Sequence, residues 1–540
     1  MLLAGLTAEA QVWQDAYLFS QNDYGGTARS IALGNAMTAL GGDAGSLTFN
    51  PAGSSVASYS QFMLTAGGSL SYAGATGTVG EGQSAPIGFG DQVSDLYGRF
   101  KMPNIGYIVN FDTGRRHGLK RTSVGFVMNT TNDFTNRFRA SGVNSSNSFG
   151  GALASSAAGY SNDVMTNAGW FESGDLTRMP AWADMTAFRS GIISSVSDKD
   201  GEYISLSEVL DESGRYRLAA PINQKYGRQT CGYKSDWIMN FSANWNDKFF
   251  LGANLTVTSI YYNMMEYWEE SPEDYDSFPP IKYAGGASDK FEKAILKRNY
   301  KLEGSGINAK VGALWIPIPG LRIGAAIQTP TINSVIERYG YSGQSIVSGK
   351  TRPAVNSAED EWGYDITYPF RYNFGIAYSF GRFALVSADY ECVDYSQARF
   401  SETEDEGSFG SGYDMFSDQN ADIKMCLGIS RMLRVGAEIK PVPGIAVRGG
   451  FGYSTSGVVY EGAGTTSASL GLGYSSTGSF FADFSLRLRF LPDEYVVPYY
   501  YYTAPDPSRY YEKVRSDVMT PEIFVRSYVA DALVTVGWRF

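Results

Sequence analysis

One histidine, His117, and three cysteines, Cys231, Cys392 and Cys426, are the whole supply of soft ligands and imidazole bases in 540 residues. No two of the cysteines stand as C-x-x-C, and their odd number argues against a disulfide framework. A structural zinc, an iron–sulfur cluster or a Cys–His nucleophile needs more than this. A Ser-His-Asp site needs its base beside the serine, and His117 stands in the charged turn "DTGRRHGLKR" (112–121). We therefore expect no enzyme, no metal and no cofactor. What remains able to act is a set of charged residues on the alternate, polar positions of their segments: Arg448, Arg487 and Arg489, with Asp483, Asp389, Glu391 and Asp531 as partners. Enclosed arginines could give a ligand carboxylate a charge-assisted hydrogen bond worth about 1.5–3 kcal/mol. They could equally form an Arg–carboxylate network that holds another part of the chain. The spacing leaves both open.

The elements that carry these residues are strands. In "FFADFSLRLRF" (480–490), Phe480, Ala482, Phe484, Leu486, Leu488 and Phe490 point one way, and Phe481, Asp483, Ser485, Arg487 and Arg489 the other. The last segment, "YVADALVTVGWRF" (528–540), alternates likewise, as does "RYNFGIAYSF" (371–380). Period-2 alternation over ten or more residues, with charges on the second face, suits a transmembrane barrel: the apolar face meets lipid and the polar face lines the lumen. A chain that ends on an aromatic residue, here Phe540, fits the same pattern.

Fourteen such segments lie near 61–73, 104–111, 123–132, 237–245, 249–262, 305–316, 321–329, 370–380, 382–395, 428–440, 445–454, 467–474, 480–490 and 528–540. Short turns such as "NDK", "PIPG", "PVPG" and "SSTGS" alternate with long connections, the longest spanning 133–236. Short turns on one side and long loops on the other are the barrel arrangement. The expected fold class is all-β: a transmembrane β-barrel of about 14 antiparallel strands, with both termini periplasmic. Within the loops, "YISLSEVLDESGRYR" suggests a short helix, and the tyrosines of "YVVPYYYYTAPDPSRYY" suggest an extension of the interfacial aromatic belt.

Composition agrees. The chain has 62 Gly, 37 Tyr and 31 Phe but only 18% charged residues. No apolar run approaches the roughly 18 residues of a membrane helix. A net charge of −11 disfavours nucleic acid. The acidic runs 269–276, 357–362 and 401–407 lack the ligand spacing of a calcium loop and read as solvated loops. The opening "MLLAGLTAEA" ends in a small-x-small site, so residues 1–10 are expected to be the remnant of a secretory leader.

Between leader and first strand, "YGGTARSIALGNAMTALGGDAGSLTFNPAGSSV" (24–56) is rich in small residues. Pro51 fixes its own φ and pushes Asn50 out of the helical region, and Gly53 can take an angle closed to other residues. Arg29 and Asp43 are available to pair with luminal charges. A barrel of this size is open to water unless something fills it, so residues 11–58 are expected to be a plug and 59–540 the barrel. With "TARSIALGNAMTAL", "GGDAGS" and "NPAG", the segment resembles the N-terminal hatch of the FadL/TodX family of outer-membrane transporters for hydrophobic compounds. The stretches 304–331, 384–400 and 434–454 resemble it too.

The resemblance implies passive uptake of a fatty-acid-like or aromatic molecule, with sideways release through a gap in the wall where an early strand kinks. The third strand loses its alternation at Asn129-Thr130-Thr131-Asn132. That marks the kink or simply the strand's arrival at the outer interface. The implied partners are a hydrophobic small molecule and the lipid and lipopolysaccharide of a Gram-negative outer membrane. The alternative is a scaffold or interaction subunit of an outer-membrane export or assembly complex, for which the long loop 133–236 supplies surface.

Overall fold

The computed structural model describes residues 12–80, 83–166, 180–196, 200–212, 214–282, 288–403, 415–460, 463–501 and 519–540. The expected leader, 1–10, lies outside the described residues. Two short helices, α1 (Trp13–Ser20) and α2 (Ala28–Ala32), precede the wall. The wall is a closed barrel of fourteen antiparallel strands, one for each expected segment. They are β1 (Gln61–Gly77), β2 (Val93–Asp112), β3 (Leu119–Asp133, continued by Asn136–Asn144), β4 (Ile222–Trp245) and β5 (Phe249–Pro272). Next come β6 (Phe291–Trp315), β7 (Leu321–Gln328, continued by Thr331–Val347), β8 (Asp360–Tyr368, continued by Arg371–Phe380) and β9 (Ala384–Asp394). The last five are β10 (Ile429–Val442), β11 (Ile445–Ser454), β12 (Thr466–Ser475), β13 (Phe480–Phe490) and β14 (Ile523–Arg539). Each pairs with the next, and β14 closes on β1 from Gln61↔Arg539 to Gly77↔Ile523.

The expected faces are the observed ones. Leu486, Leu488, Phe374, Ile376, Val534 and Trp538 are exposed on the outside, while Asp483, Arg487, Arg489, Asn373, Asp531 and Thr535 are buried inside. Near the short turns the outer face carries the stacked pairs Phe62–Trp538 and Phe249–Trp315. Toward the long loops it carries Tyr72–Tyr528 and Tyr233–Tyr261. Trp538 and Tyr528 on β14, like Phe249 and Tyr261 on β5, are separated by the length of strand that crosses an apolar band about 25 Å tall.

β4, β5 and β6 have 24, 24 and 25 residues, about twice the 9–11 that span a bilayer. The wall therefore stands well above the outer girdle on that side, whereas β11 and β12 have only 10 residues each. Turns at the other end are tight. Asn246 and Asp247 take left-handed angles (φ 56° and 52°), which Asn and Asp tolerate better than most residues.

The long connection between β3 and β4 is a folded cap. It holds α3 (Phe149–Ser156), α4 (Asn162–Thr166) and α5 (Trp182–Arg189). The segment expected to hold a helix forms the short strands Tyr203–Ser205, Glu208–Leu210 and Tyr216–Leu218 instead, because Gly214, with φ 77°, turns the second pair into a hairpin. Of the tyrosines expected to extend the interfacial belt, Tyr502, Tyr510 and Tyr511 lie outside the described residues, Tyr495 is exposed beside Phe524, and Tyr499 and Tyr501 do not extend it. Both are buried in the cap, where Tyr499 donates to Asn147 at 2.8 Å and Tyr501 to the Ser148 carbonyl at 2.7 Å. Glu270, from the acidic run read as solvated, is also buried and accepts from the Phe149 N–H at 2.6 Å. A last helix, α6 (Ser417–Cys426), lies between β9 and β10.

Candidate functional site

Residues 12–58 lie inside the barrel, and their local chemistry explains their path. Asn50 is extended (φ −143°, ψ 114°), as the residue before a proline must be. Its side-chain oxygen accepts from the Ala52 N–H at 3.1 Å. Its amide donates to the carbonyls of Thr38 (2.8 Å) and of Ala313 on β6 (2.9 Å). Pro51 opens a 3-10 turn, Pro51–Val56, and its carbonyl accepts from Asn240 on β4 at 2.9 Å.

Gly53 is needed for a different reason than the one expected. Its φ is not left-handed; a Cβ there would meet Ser46 Oγ at 2.7 Å and the Gly41 Cα at 3.1 Å. Asp43 likewise turns inward to the segment itself, accepting from the Thr27 hydroxyl and the Gly45 N–H, each at 2.7 Å. Arg29 does reach a luminal charge, Glu438 on β10, at 3.5 Å. The wall meets the plug with glycine. A Cβ on Gly252, Gly312, Gly324, Gly436 or Gly450 would lie 2.1–2.4 Å from a plug atom.

The predicted luminal charges are all inside, and all but Asp389, which accepts from the Thr38 N–H at 2.7 Å, are ion-paired. Arg448 donates to Glu438 at 2.6 Å and also binds Asp483. Arg487 binds Asp531 at 2.8 Å and Asp23 of the plug at 3.3 Å, and donates to the Tyr24 carbonyl at 2.9 Å. Arg489 binds Asp23. Lys101 of β2 binds Asp531 and lies 3.7 Å from Asp133 of β3, which Arg99 meets at 3.0 Å. One chain of charges thus runs from the plug, across β13 and β14, to β2 and β3. A second gathers on Glu391, which accepts from Tyr24 (2.8 Å), Arg371 (3.1 Å), Asn373 (3.0 Å) and Arg434.

Asn129 and Asn132 sit where the wall parts. The β2–β3 ladder runs from Asp112↔Arg121 to Asn104↔Asn129 and stops. The next residue of β2 is Pro103, which has no N–H to give, and β2 shifts register against β1 there. β3 shifts register against β4 between Thr130 and Asn132, a bulge that bends the strand. Above this point β2 stays paired with β1 and β3 with β4, but among the described residues the two share no ladder.

Other groups bridge the seam. The plug's Asp23 and Gly25 N–H groups donate to the Thr131 and Thr130 carbonyls, both at 2.8 Å. Asn129 donates to Thr48 at 2.7 Å and Asn132 to the Gln21 carbonyl at 3.2 Å. Higher up, Asp95 of β2 binds Arg137 (2.7 Å) and Arg139 (2.8 Å) of β3.

Behind the seam, above the plug, lies a buried aromatic cluster. Phe134, at the bend of β3, meets Phe19 of α1 and Tyr262 edge-on, with ring centroids 5.9 and 5.4 Å away. Tyr300, Tyr364, Phe400 and Phe416 continue the same buried cluster. Lys234 of β4 pins the start of the plug beneath it, donating to the Phe19 carbonyl at 2.7 Å.

Sequence reasoning missed Asp23, Lys101, Asp133, Lys234 and the aromatic cluster itself. Lys234 shared the inward parity of Ile238 and Asn240, a legible signal. Asp23 carried none, since its partners are more than 460 residues away.

No family model matches the chain, and no curated protein matches it. Among solved structures it is similar to the Pseudomonas putida toluene transporter TodX (14% identity, TM-score 0.46, covering 96% of this chain and 99% of that one). It is also similar to the Ralstonia pickettii toluene transporter TbuX (13%, 0.44, 96% and 98%) and a Pseudomonas aeruginosa FadL homologue (11%, 0.49, 96% and 99%). These are structures of the kind that the N-terminal motif led us to expect.

Proposed function

We propose that this barrel is an outer-membrane channel for passive uptake of hydrophobic small molecules, fatty-acid-like or aromatic, released sideways through the β2–β3 seam. The observation that carries the reading is the bend of β3. It places Phe134 in the aromatic cluster and leaves Thr130 and Thr131, a few residues away, at an edge that β2 does not pair. An apolar molecule lodged among these rings would reach the lipid by a shift of residues 21–25, which releases Asp23 from Arg487 and Arg489 and the Asp23 and Gly25 N–H groups from the edge of β3. The rest of the plug, with its Arg29–Glu438 pair and its contacts to the wall glycines, can stay seated. Both termini are then periplasmic, and the cap faces outward. Arg487 and Arg489 act as fasteners of the plug through Asp23, and Arg448 is held by the wall carboxylates Glu438 and Asp483, so all three are already occupied.

The test is uptake of labelled oleate and labelled toluene into vesicles bearing the purified protein. Uptake should saturate, need no energy source, and fall to background when Asp23→Cys and Thr131→Cys are joined by oxidation. Unchanged uptake in the oxidised variant would remove the sideways route. A stoichiometric protein partner and no apolar adduct in native mass spectrometry would favour the scaffold reading, which the folded cap on β3–β4 supports.

A further inference from the structure

The tall side of the wall carries a charge pattern that neither the plug nor the seam uses. Successive pairing registers set outward-facing residues of β3 to β7 in rows above the outer girdle row Tyr233–Tyr261–Glu303. The first row is Cys231–Asn263–Lys301–Arg338, and the second is Arg137–Gln229–Met265–Asn299. The third is Arg139–Gly227–Tyr267–Lys297, and the fourth is Ser141–Lys225–Glu269–Ile295.

These four rows hold six cations and one carboxylate. Lys293, which shares Glu269 with Lys225 (3.2 and 3.0 Å), makes a seventh cation. Among the described residues, the carboxylates around the edge are Asp91, Asp95, Glu292, Glu303, Glu359 and Glu361. With Glu269 they match the cations in number, but Arg137 and Arg139 share one carboxylate, Asp95, and Lys225 and Lys293 share another, Glu269, so each of these pairs keeps donors to spare. Lys297 is exposed and has no ion pair among the described residues.

The face is also shaped. Gly227 leaves room for the Tyr267 ring, which a Cβ would meet at 2.3 Å. Around this pair Arg137, Arg139, Gln229 and Met265 line a hollow of about 220 Å³. Neighbouring strands lie about 4.8 Å apart and successive rows about 6.8 Å apart along a strand. The cations of the four rows therefore cover a patch of about 19 by 20 Å whose lower edge is the aromatic girdle.

We propose that this face docks the phosphorylated headgroup of an outer-leaflet glycolipid, with Arg137, Arg139 and Lys297 as the phosphate ligands and the hollow at Gly227 receiving a sugar. Height selects a lipid over a soluble partner: the rows begin at the girdle that marks the interface, where the acyl chains of such a molecule lie against the apolar band below. Guanidinium pairs suit phosphate because they offer several N–H donors in one plane. The proposal rests on the outward orientation given under Proposed function. It assigns the seam side of the barrel a bound lipid, so the sideways exit opens beside an ordered headgroup.

The experiment is native mass spectrometry of the full chain in detergent, with no hydrophobic substrate present. Diphosphorylated lipid A, its dephosphorylated form and phosphatidylcholine are titrated separately. The diphosphorylated lipid should bind one to one and survive detergent exchange while the other two do not. Lys225→Gln with Lys297→Gln and Lys301→Gln, which spares the Asp95 clasp, should weaken it by about fivefold for each cation removed. Arg137→Gln with Arg139→Gln should do the same, with heat-modifiability on gels reporting that the barrel has folded.

Equal binding of the dephosphorylated lipid, or unchanged binding in both variants, would overturn the proposal. So would full competition by inorganic phosphate, which would mark an anion pocket only. Because oleate and toluene uptake is scored separately, loss of lipid binding with uptake intact refutes this proposal alone. Lipid binding without uptake refutes the channel reading alone.

Discussion

Asn50 ties three parts of the molecule together with one amide. Asn50→Ala leaves the Ala313 and Thr38 carbonyls without that donor inside a dry contact, a loss of about 1–3 kcal/mol. The plug should then leave its seat more often, and single-channel recordings in planar bilayers should show brief openings that the native protein lacks. In the cap, Asp184 is buried, with one oxygen on the Ser156 hydroxyl at 2.7 Å and the other without a partner. Burial pushes its carboxyl from the ordinary 3.8 up to about 7. Between those values the unfolded loop releases the proton and the folded cap keeps it, so the cap loses stability as pH rises from about 4 to 7, by a few kcal/mol in all, and no further above that. Limited proteolysis of residues 145–221 should therefore quicken across that window. In Asp184→Asn the rate should be flat with pH.

At the scale of elements, the seam between β2 and β3 is held by side chains, by the plug's backbone and by the single Asp91 N–H to Ser141 carbonyl bond rather than by a ladder. Asp95→Asn removes the anchor of Arg137 and Arg139. Each of those pairs is partly exposed and contributes no more than about 1 kcal/mol. Hydrogen exchange should rise a few-fold in residues 93–101 and 136–141, while β10 to β13 should not change.

The existence of all fourteen wall strands was legible in the sequence, because one face meets lipid and the other does not; the short strands of the cap were not. The lengths of β2 to β8 were not. Above the girdle both faces of the wall are wet or capped, so a stretch such as "EKAILKRNYKLEG" loses the apolar alternation while remaining in the same ladder. Arg487 and Arg489 could be placed inside because Leu486 and Leu488 stand beside them. Asp133 could not, since the bulge at Thr130–Asn132 disrupts the parity that would have assigned it.

For the whole molecule, the plug is what separates a channel for apolar molecules from an open pore. Deleting residues 12–58 should leave a barrel that folds and conducts ions at a steady, large conductance, as a lumen of this width would allow. Bilayer recordings would show it at once, and a silent barrel would mean that α6 and the cap also seal the lumen. The sequence marked the plug through its small residues and its Asn-Pro turn. It did not mark the cap as a folded body, because the cap's apolar core draws on Trp268, Phe291 and Tyr499 from three other parts of the chain.

The glycines that line the wall at Gly252, Gly312, Gly324, Gly436 and Gly450 also bear on the order in which the molecule is made. They bring plug backbone against wall backbone, and the Ala28 N–H of the plug reaches Thr535 on the closing strand at 2.7 Å. A contact that close on all sides leaves no clearance for a plug pushed in after the ring is shut. The first part of the chain to be synthesised must therefore wait, and the last strand finds the first only around it.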